Sequence, residues 1–206
     1  MAVKMENRKL EIRSNAVPPA LEEENRITGY AIVWGVESRV LWDWDGEFVE
    51  IIEKGAVDDA LLARSDVKAL FNHAPDALLA RWTNGGGTLS LSVDDHGLLF
   101  SFEVPNTTLG NDVRELVKRG DLRGCSFAFW AKDEDCEFST RDDGTRVRRV
   151  KKLSLLADVS VVVDPAYTQT SVQARSFEGV PPAEQEDLLD TRSVEEVKRF
   201  IRFCFI

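Results

Sequence analysis

The amino-acid sequence predicts an α+β fold with a mainly antiparallel sheet or barrel at its core and a few helices on its flanks. Three observations carry this expectation: strand-like segments outnumber helical ones, several are joined by tight hairpin turns, and no regular strand-helix alternation marks a parallel α/β sheet. The 206 residues allow one ordinary domain with tails, or at most two small ones. With 43% hydrophobic and 30% charged residues, the chain can bury a core, which excludes collagen-like and wholly disordered classes.

Taken in order, residues 1–25 read as a mobile leader containing Pro18-Pro19 and Glu22-Glu23-Glu24, within which Leu10 to Arg13 has the texture of an edge strand. Ile27 to Trp34 is rich in β-formers, and Phe48 to Ile52 is a second apolar segment after the turn-like Asp43-Trp44-Asp45-Gly46. Gly55 leads into a helix expected over Ala56 to Arg64, because Val57, Leu61 and Leu62 recur at helical spacing. The strand Val67 to Phe71 then delivers Asn72-His73 at its end. Gly85-Gly86-Gly87 turns the chain from the segment around Arg81-Trp82 into Thr88 to Val93, whose leucines and valine alternate with polar residues. Asp94-Asp95-His96-Gly97 joins that strand to Leu98 to Val104 as a hairpin. Asn111 to Arg119 places Val113, Leu116 and Val117 on one helical face and stops at Gly120. Cys125 to Ala131, Arg146 to Lys152 and Leu153 to Val163 complete the strands, with a polar excursion through Asp142-Asp143-Gly144 and a stop at Pro165-Ala166-Tyr167. Beyond Arg175 the texture changes to a charged tail, through the acidic stretch Glu184 to Asp190, with an amphipathic helix expected at Val194 to Ile206. The domain proper is therefore expected over residues 26–175 and the tail over 176–206.

A net charge of -10 argues against a chain built to coat phosphate backbones. Three cysteines, Cys125, Cys136 and Cys204, are too few and too irregularly spaced for a disulfide framework or a four-cysteine zinc site, and suit a reducing cytoplasm. The longest apolar run, Leu155 to Val163, is broken by Asp158 and Ser160 and falls far short of the roughly 20 residues that span a bilayer. The N-terminus has no apolar run of the signal-peptide kind, so the chain is expected to stay where it is made. Asp43, Asp45, Glu47 and Glu50 lack the remaining ligands of a calcium loop, and no phosphate-cradling glycine loop occurs.

Only two histidines, His73 and His96, are available for imidazole chemistry near neutral pH. His73 follows an apolar strand, where a side chain can project into a cleft or simply lie at the surface; His96 sits in a polar turn. Ser126 lies in Gly124-Cys125-Ser126-Phe127-Ala128-Phe129, where a short strand can hold a hydroxyl rigidly or merely accommodate a small residue. Cys125 is a competing nucleophile, although alternation groups it with Phe127 and Phe129 as a core residue. Asp158 interrupts a strand that otherwise reads as buried on both faces. A buried carboxylate costs several kcal/mol unless it is paired, so Asp158 needs a dedicated partner: an arginine, backbone amides, or an imidazole N–H. The basic run Arg146, Arg148, Arg149, Lys151 and Lys152 reads as a charge-protected edge strand or as a dock for an acidic partner.

Read together and in order, Leu70-Phe71-Asn72-His73, Gly124-Cys125-Ser126-Phe127-Ala128-Phe129 and Leu156-Ala157-Asp158-Val159-Ser160 through Asp164-Pro165-Ala166-Tyr167 resemble the signature segments of the tailed-phage prohead proteases. These are the HK97-type maturation proteases, related in fold to herpesvirus assemblins, and the resemblance spans Ile27 to Arg175. It implies an assemblin-like β-barrel and a serine endopeptidase in which Ser126 is the nucleophile, His73 the general base and Asp158 the third member, where many relatives carry glutamate. Ala80 and Ala128 stand where relatives often have glycine, and Arg81, Arg123 and main-chain amides near Ser126 are the candidate oxyanion donors. The implied substrates are scaffold protein, the scaffolding segment of the major capsid protein, and the protease itself, cleaved inside an assembling procapsid in the host cytoplasm. No metal or organic cofactor, membrane or specific nucleic acid enters, and a homodimer or higher oligomer follows by analogy with assemblins. The alternatives are a noncatalytic scaffold-binding protein that keeps the fold, and a cysteine peptidase pairing Cys125 with His73.

Overall fold

The computed structural model describes residues 11–15, 19–22, 25–43 and 45–163. In chain order the elements begin with β1 (Glu11–Asn15), β2 (Ala20–Glu22), β3 (Arg26–Val33), β4 (Leu41–Asp43) and β5 (Gly46–Ile52). Helix α1 (Asp59–Arg64) precedes β6 (Asp66–Phe71), β7 (Leu78–Thr83), β8 (Gly86–Gly87), β9 (Leu89–Val93) and β10 (Gly97–Glu103). Helix α2 (Thr108–Arg119) leads to β11 (Gly124–Trp130), a 3-10 turn at Asp133–Asp135, β12 (Cys136–Thr140), β13 (Arg146–Val150) and β14 (Leu155–Val162). By contacts the chain divides into Met1–Val172 and Gln173–Ile206. The second unit, with the expected tail helix, and the stop at Pro165-Ala166-Tyr167 lie outside the described residues.

Strands dominate, as expected, and they hydrogen-bond as three sheets: β1-β11-β14-β6-β7-β8, β2-β3-β10-β9 and β12-β13-β5-β4. Pairings are antiparallel except β13 with β5 and β14 with β6. Among the described residues, hydrogen bonding does not close these sheets into a single barrel. One core draws on all three, with Phe127 and Phe129 from the first, Ile27, Phe100 and Phe102 from the second, and Ile52 and Val150 from the third. Burying each such phenyl or branched side chain contributes about 1.5–3 kcal/mol. The first two sheets meet where Gly29 backs onto Cys125, since a methyl at Gly29 would lie 2.8 Å from the Cys125 sulfur.

Several boundaries differ from the periodicity. Helix α1 begins three residues late because Asp58 caps it, its carboxylate accepting the Leu61 N–H at 2.7 Å, while the Ala56 carbonyl is committed to Leu153 N–H at 2.8 Å. Helix α2 begins early, at Thr108, because the Thr107 hydroxyl accepts the Gly110 N–H at 3.0 Å; it ends as expected at Gly120, in the left-handed conformation (φ 76). Part of the stretch read as leader is built into the sheet: β1 is an edge strand on β11. β13 is an internal strand of its sheet rather than an edge. Arg146 pairs with Asp43 at 2.9 Å, Arg149 with Glu53 at 2.6 Å, and Lys151, just past the strand, with Glu137 at 2.7 Å. Its charges are thus met from within the fold.

The N-terminal turn of α2 packs so closely that a methyl at Gly110 would sit 2.0 Å from the Pro105 carbonyl oxygen. Gly110→Ala is expected to destabilise the fold by about 1–3 kcal/mol through overpacking against backbone, and Thr107→Ala by about 1 kcal/mol through loss of the cap, both measured as shifts in the denaturant midpoint.

Candidate active site

The period-two geometry of β11 splits its side chains between two environments. Cys125, Phe127 and Phe129 enter the core, while Ser126 and Ala128 face the other way. β14 runs antiparallel beside it, with Ser160 opposite Ser126 and Asp158 opposite Ala128, so Ser126, Ser160 and Asp158 share one face. β6 pairs with β14 in parallel, Leu70 beside Ser160 and Phe71 beside Val161, so the two strands end side by side. The chain leaves β6 through Asn72 and His73, both in the left-handed region at φ 51 and 57. Asparagine and histidine are among the residues that tolerate this conformation best. The turn is pinned to β14 from both sides: Asn72 N–H donates to the Val161 carbonyl at 3.0 Å, and Val163 N–H donates to Asn72 Oδ1 at 3.1 Å. Reversed in this way, the chain carries the His73 imidazole back over the polar face of β14 and β11.

All three residues singled out from the sequence meet there. His73 Nδ1 lies 2.7 Å from Asp158 Oδ1, and His73 Nε2 is hydrogen-bonded to Ser126 Oγ. The aspartate reaches the ring despite being a methylene shorter than glutamate. With the carboxylate on the Nδ1 side, that nitrogen carries the proton and Nε2 is left to accept one. Ser160 Oγ donates to Asp158 Oδ1 at 2.9 Å and lies 3.3 Å from His73 Nδ1. The buried carboxylate therefore has the partner its cost demands, and that partner is the imidazole, seconded by a hydroxyl. Ser126 is fully buried, and its hydroxyl also donates to the Arg13 carbonyl of β1 at 2.8 Å.

Ser160 and Asn72 were not singled out from the sequence. Ser160 was legible through its position two residues after Asp158, which puts both on one strand face; the role of Asn72 depends on a register that no local pattern reports.

The other candidates have structural explanations. Cys125 is buried on the core face, where loss of solvent pushes its thiol far above the ordinary range, so it offers no thiolate to His73. His96 stays in its turn, edge-on to Tyr30 with ring centroids 4.5 Å apart. Arg81 is held by Asp66 through Nε at 2.7 Å and Nη2 at 2.6 Å, on a strand three places from β11. Arg123 donates through Nε to the Gly120 carbonyl at 2.6 Å. In the acidic loop, Arg146 beside Asp43 holds that carboxyl below its usual range. Cys125 is expected to resist iodoacetamide in the folded protein and to react fully after unfolding, as read by mass spectrometry of the modified peptides.

The family model of caudovirus prohead serine proteases matches residues 8–182. No curated protein matches the chain. Among solved structures, the capsid assembly protease gp21 of bacteriophage T4 is similar at 12% identity and a TM-score of 0.44, over 75% of this chain and 99% of that one. The family match takes in every strand from β1 to β14 together with His73, Ser126 and Asp158, and the chain belongs to the caudovirus prohead serine protease family.

Proposed function

We propose that this prohead serine peptidase cleaves by acyl transfer, with Ser126 as nucleophile, His73 as general base and Asp158 as the carboxylate that orients and supports the imidazole. The observation that carries the reading is the single imidazole bridging Asp158 on one side and Ser126 on the other. In the first half-reaction Ser126 Oγ attacks a peptide carbonyl while its proton passes to His73 Nε2. The imidazolium, stabilised by Asp158 across Nδ1–H, then returns that proton to the departing amine. A water molecule repeats the sequence on the acyl-enzyme, releasing the new carboxylate and restoring Ser126. Ser160 donates to Oδ1, the same Asp158 oxygen that meets the ring, and keeps the carboxylate aligned with it, a positioning role.

The substrates in this reading are scaffold protein, the scaffolding segment of the major capsid protein and the peptidase itself, cleaved inside the assembling procapsid in the bacterial cytoplasm. An assemblin-like barrel arrangement of the three sheets around one core, and a homodimer or higher oligomer, are part of the proposal. Residues 26–175 supply the catalytic body in this reading, and 176–206 the tail.

Coexpression with capsid and scaffold proteins, followed by gel electrophoresis, tests the assignments. Ser126→Ala and His73→Ala should each abolish processing, Asp158→Asn should lower kcat by about four orders of magnitude, and Cys125→Ala should still process. Processing by Ser126→Ala would sink the serine assignment, while a folded wild-type chain that cleaves nothing would favour a scaffold-binding role.

A further inference from the structure

A nucleophile must be reachable, yet Ser126 has no exposed surface. Beside His73, β1 lies against it. This five-residue edge strand lies antiparallel along β11 with Ser14 opposite Ser126, and the carbonyl of Arg13 takes the Ser126 hydroxyl proton at 2.8 Å. A serine hydroxyl has one proton. The Arg13 carbonyl and His73 Nε2 both lie within hydrogen-bond reach of it, so docked β1 both fills the approach to Ser126 and competes with the imidazole for its proton.

The way β1 is held is equally specific. Arg13 is opposite Phe127, so its side chain leaves on the face away from Ser126. There its guanidinium lies 5.6 Å from the Phe129 ring centroid and donates from Nε to Glu50 at 2.6 Å and from Nη2 to Glu11 at 2.8 Å. Glu11 in turn accepts from Arg148 Nη2 at 3.0 Å, and Arg148 Nη1 reaches Glu50 at 3.1 Å. The cluster therefore holds two charges of each sign. Glu50, fully buried on β5, and Arg148 on β13 belong to the body, whereas Glu11 and Arg13 arrive with β1. If β1 left, Glu50 and Arg148 would each lose a charged partner in a buried setting, and only a segment with an acidic residue two places before a basic one would restore both.

We propose that the edge of β11 is the peptide-binding cleft, that β1 is its resident occupant in the resting chain, and that Glu50 and Arg148 select an extended segment of the pattern acidic-x-basic, with the carbonyl of the basic residue presented to Ser126. The proposal rests on the reading of Ser126 as nucleophile and adds the class of peptide it accepts and the strand that keeps it closed. Binding is by strand addition, in which main-chain hydrogen bonds supply affinity and alternate side chains supply selectivity.

The test uses the full chain, a serine-reactive fluorophosphonate probe, and a synthetic peptide of residues 9–18. Arg13→Ala should label at Ser126 about tenfold faster than wild type, because the charged hydrogen bonds that dock β1 are lost. The peptide should slow that labelling, and versions carrying Arg13→Gln or Glu11→Gln should compete about tenfold more weakly. Equal labelling of the two chains, or equal competition by the three peptides, overturns the proposal while leaving the nucleophile intact. Absence of labelling in both chains sinks the nucleophile and the proposal with it. Hydrogen exchange on the wild-type chain guards against misfolding of the variant. The β1 amides should exchange faster than those of β14, and equal protection in a chain whose Ser126 still labels would show that β1 need not leave.

Discussion

The carboxylate in the middle of β14 is the constraint on which the site depends. A charge placed on a strand at the centre of a six-stranded sheet must be met or the sheet loses several kcal/mol, and Asp158 is met by the His73 ring and the Ser160 hydroxyl. That requirement explains the strain next door. Asn72 and His73 hold left-handed backbone because only a sharp reversal at the end of β6 returns the imidazole to the carboxylate. Two hydrogen bonds between Asn72 and the end of β14, one donated to the Val161 carbonyl and one accepted from Val163 N–H, keep the reversal in place. Stability and chemistry here share the same contacts, since the group that satisfies the buried charge is the group that can take a proton from Ser126.

Alternation does the rest of the sorting. Neighbouring residues on β11 meet opposite conditions: Cys125 is enclosed by apolar side chains and kept as an inert thiol, while Ser126 looks onto the polar face. The choice between two adjacent nucleophiles is thus made by strand geometry before any chemistry begins. The charged cluster of Glu11, Arg13, Glu50 and Arg148 uses the same principle, drawing the Arg13 side chain to one face of the sheet while its carbonyl addresses the serine on the other. Burial alone would work against the charge on Arg148, but its hydrogen bonds with Glu11 and the charges of Glu50 and Glu11 raise its affinity for the proton well above that of a free arginine.

Much of the fold was legible. The strands with clear apolar or alternating texture, from Arg26–Val33 to Leu155–Val162, appear within a few residues of where periodicity puts them. The strands left unmarked, Ala20–Glu22, Leu41–Asp43, Gly86–Gly87 and Cys136–Thr140, are short or largely exposed, so tertiary pairing makes them strands without an apolar pattern to announce it. The basic run was misread as an edge because a string of cations normally signals solvent. Here the acidic partners come from β1, β4, β12 and the residue just past β5, so a strand carrying these cations can lie inside the sheet.

What the sequence by itself determined is local: which residues alternate, that a helix stops at Gly120, and that His73 was the one histidine placed at a strand end. A carboxylate interrupting an apolar strand also announced, unaided, that it needed a partner. Only the tertiary structure decided that this partner is His73, that the same ring reaches Ser126, and that β1 lies across the serine. The reason is register. Hydrogen-bond pairing between β6, β14, β11 and β1 joins residues up to 118 positions apart, Glu11 with Phe129, and periodicity within each strand says which way a side chain faces but not which strand lies beside it.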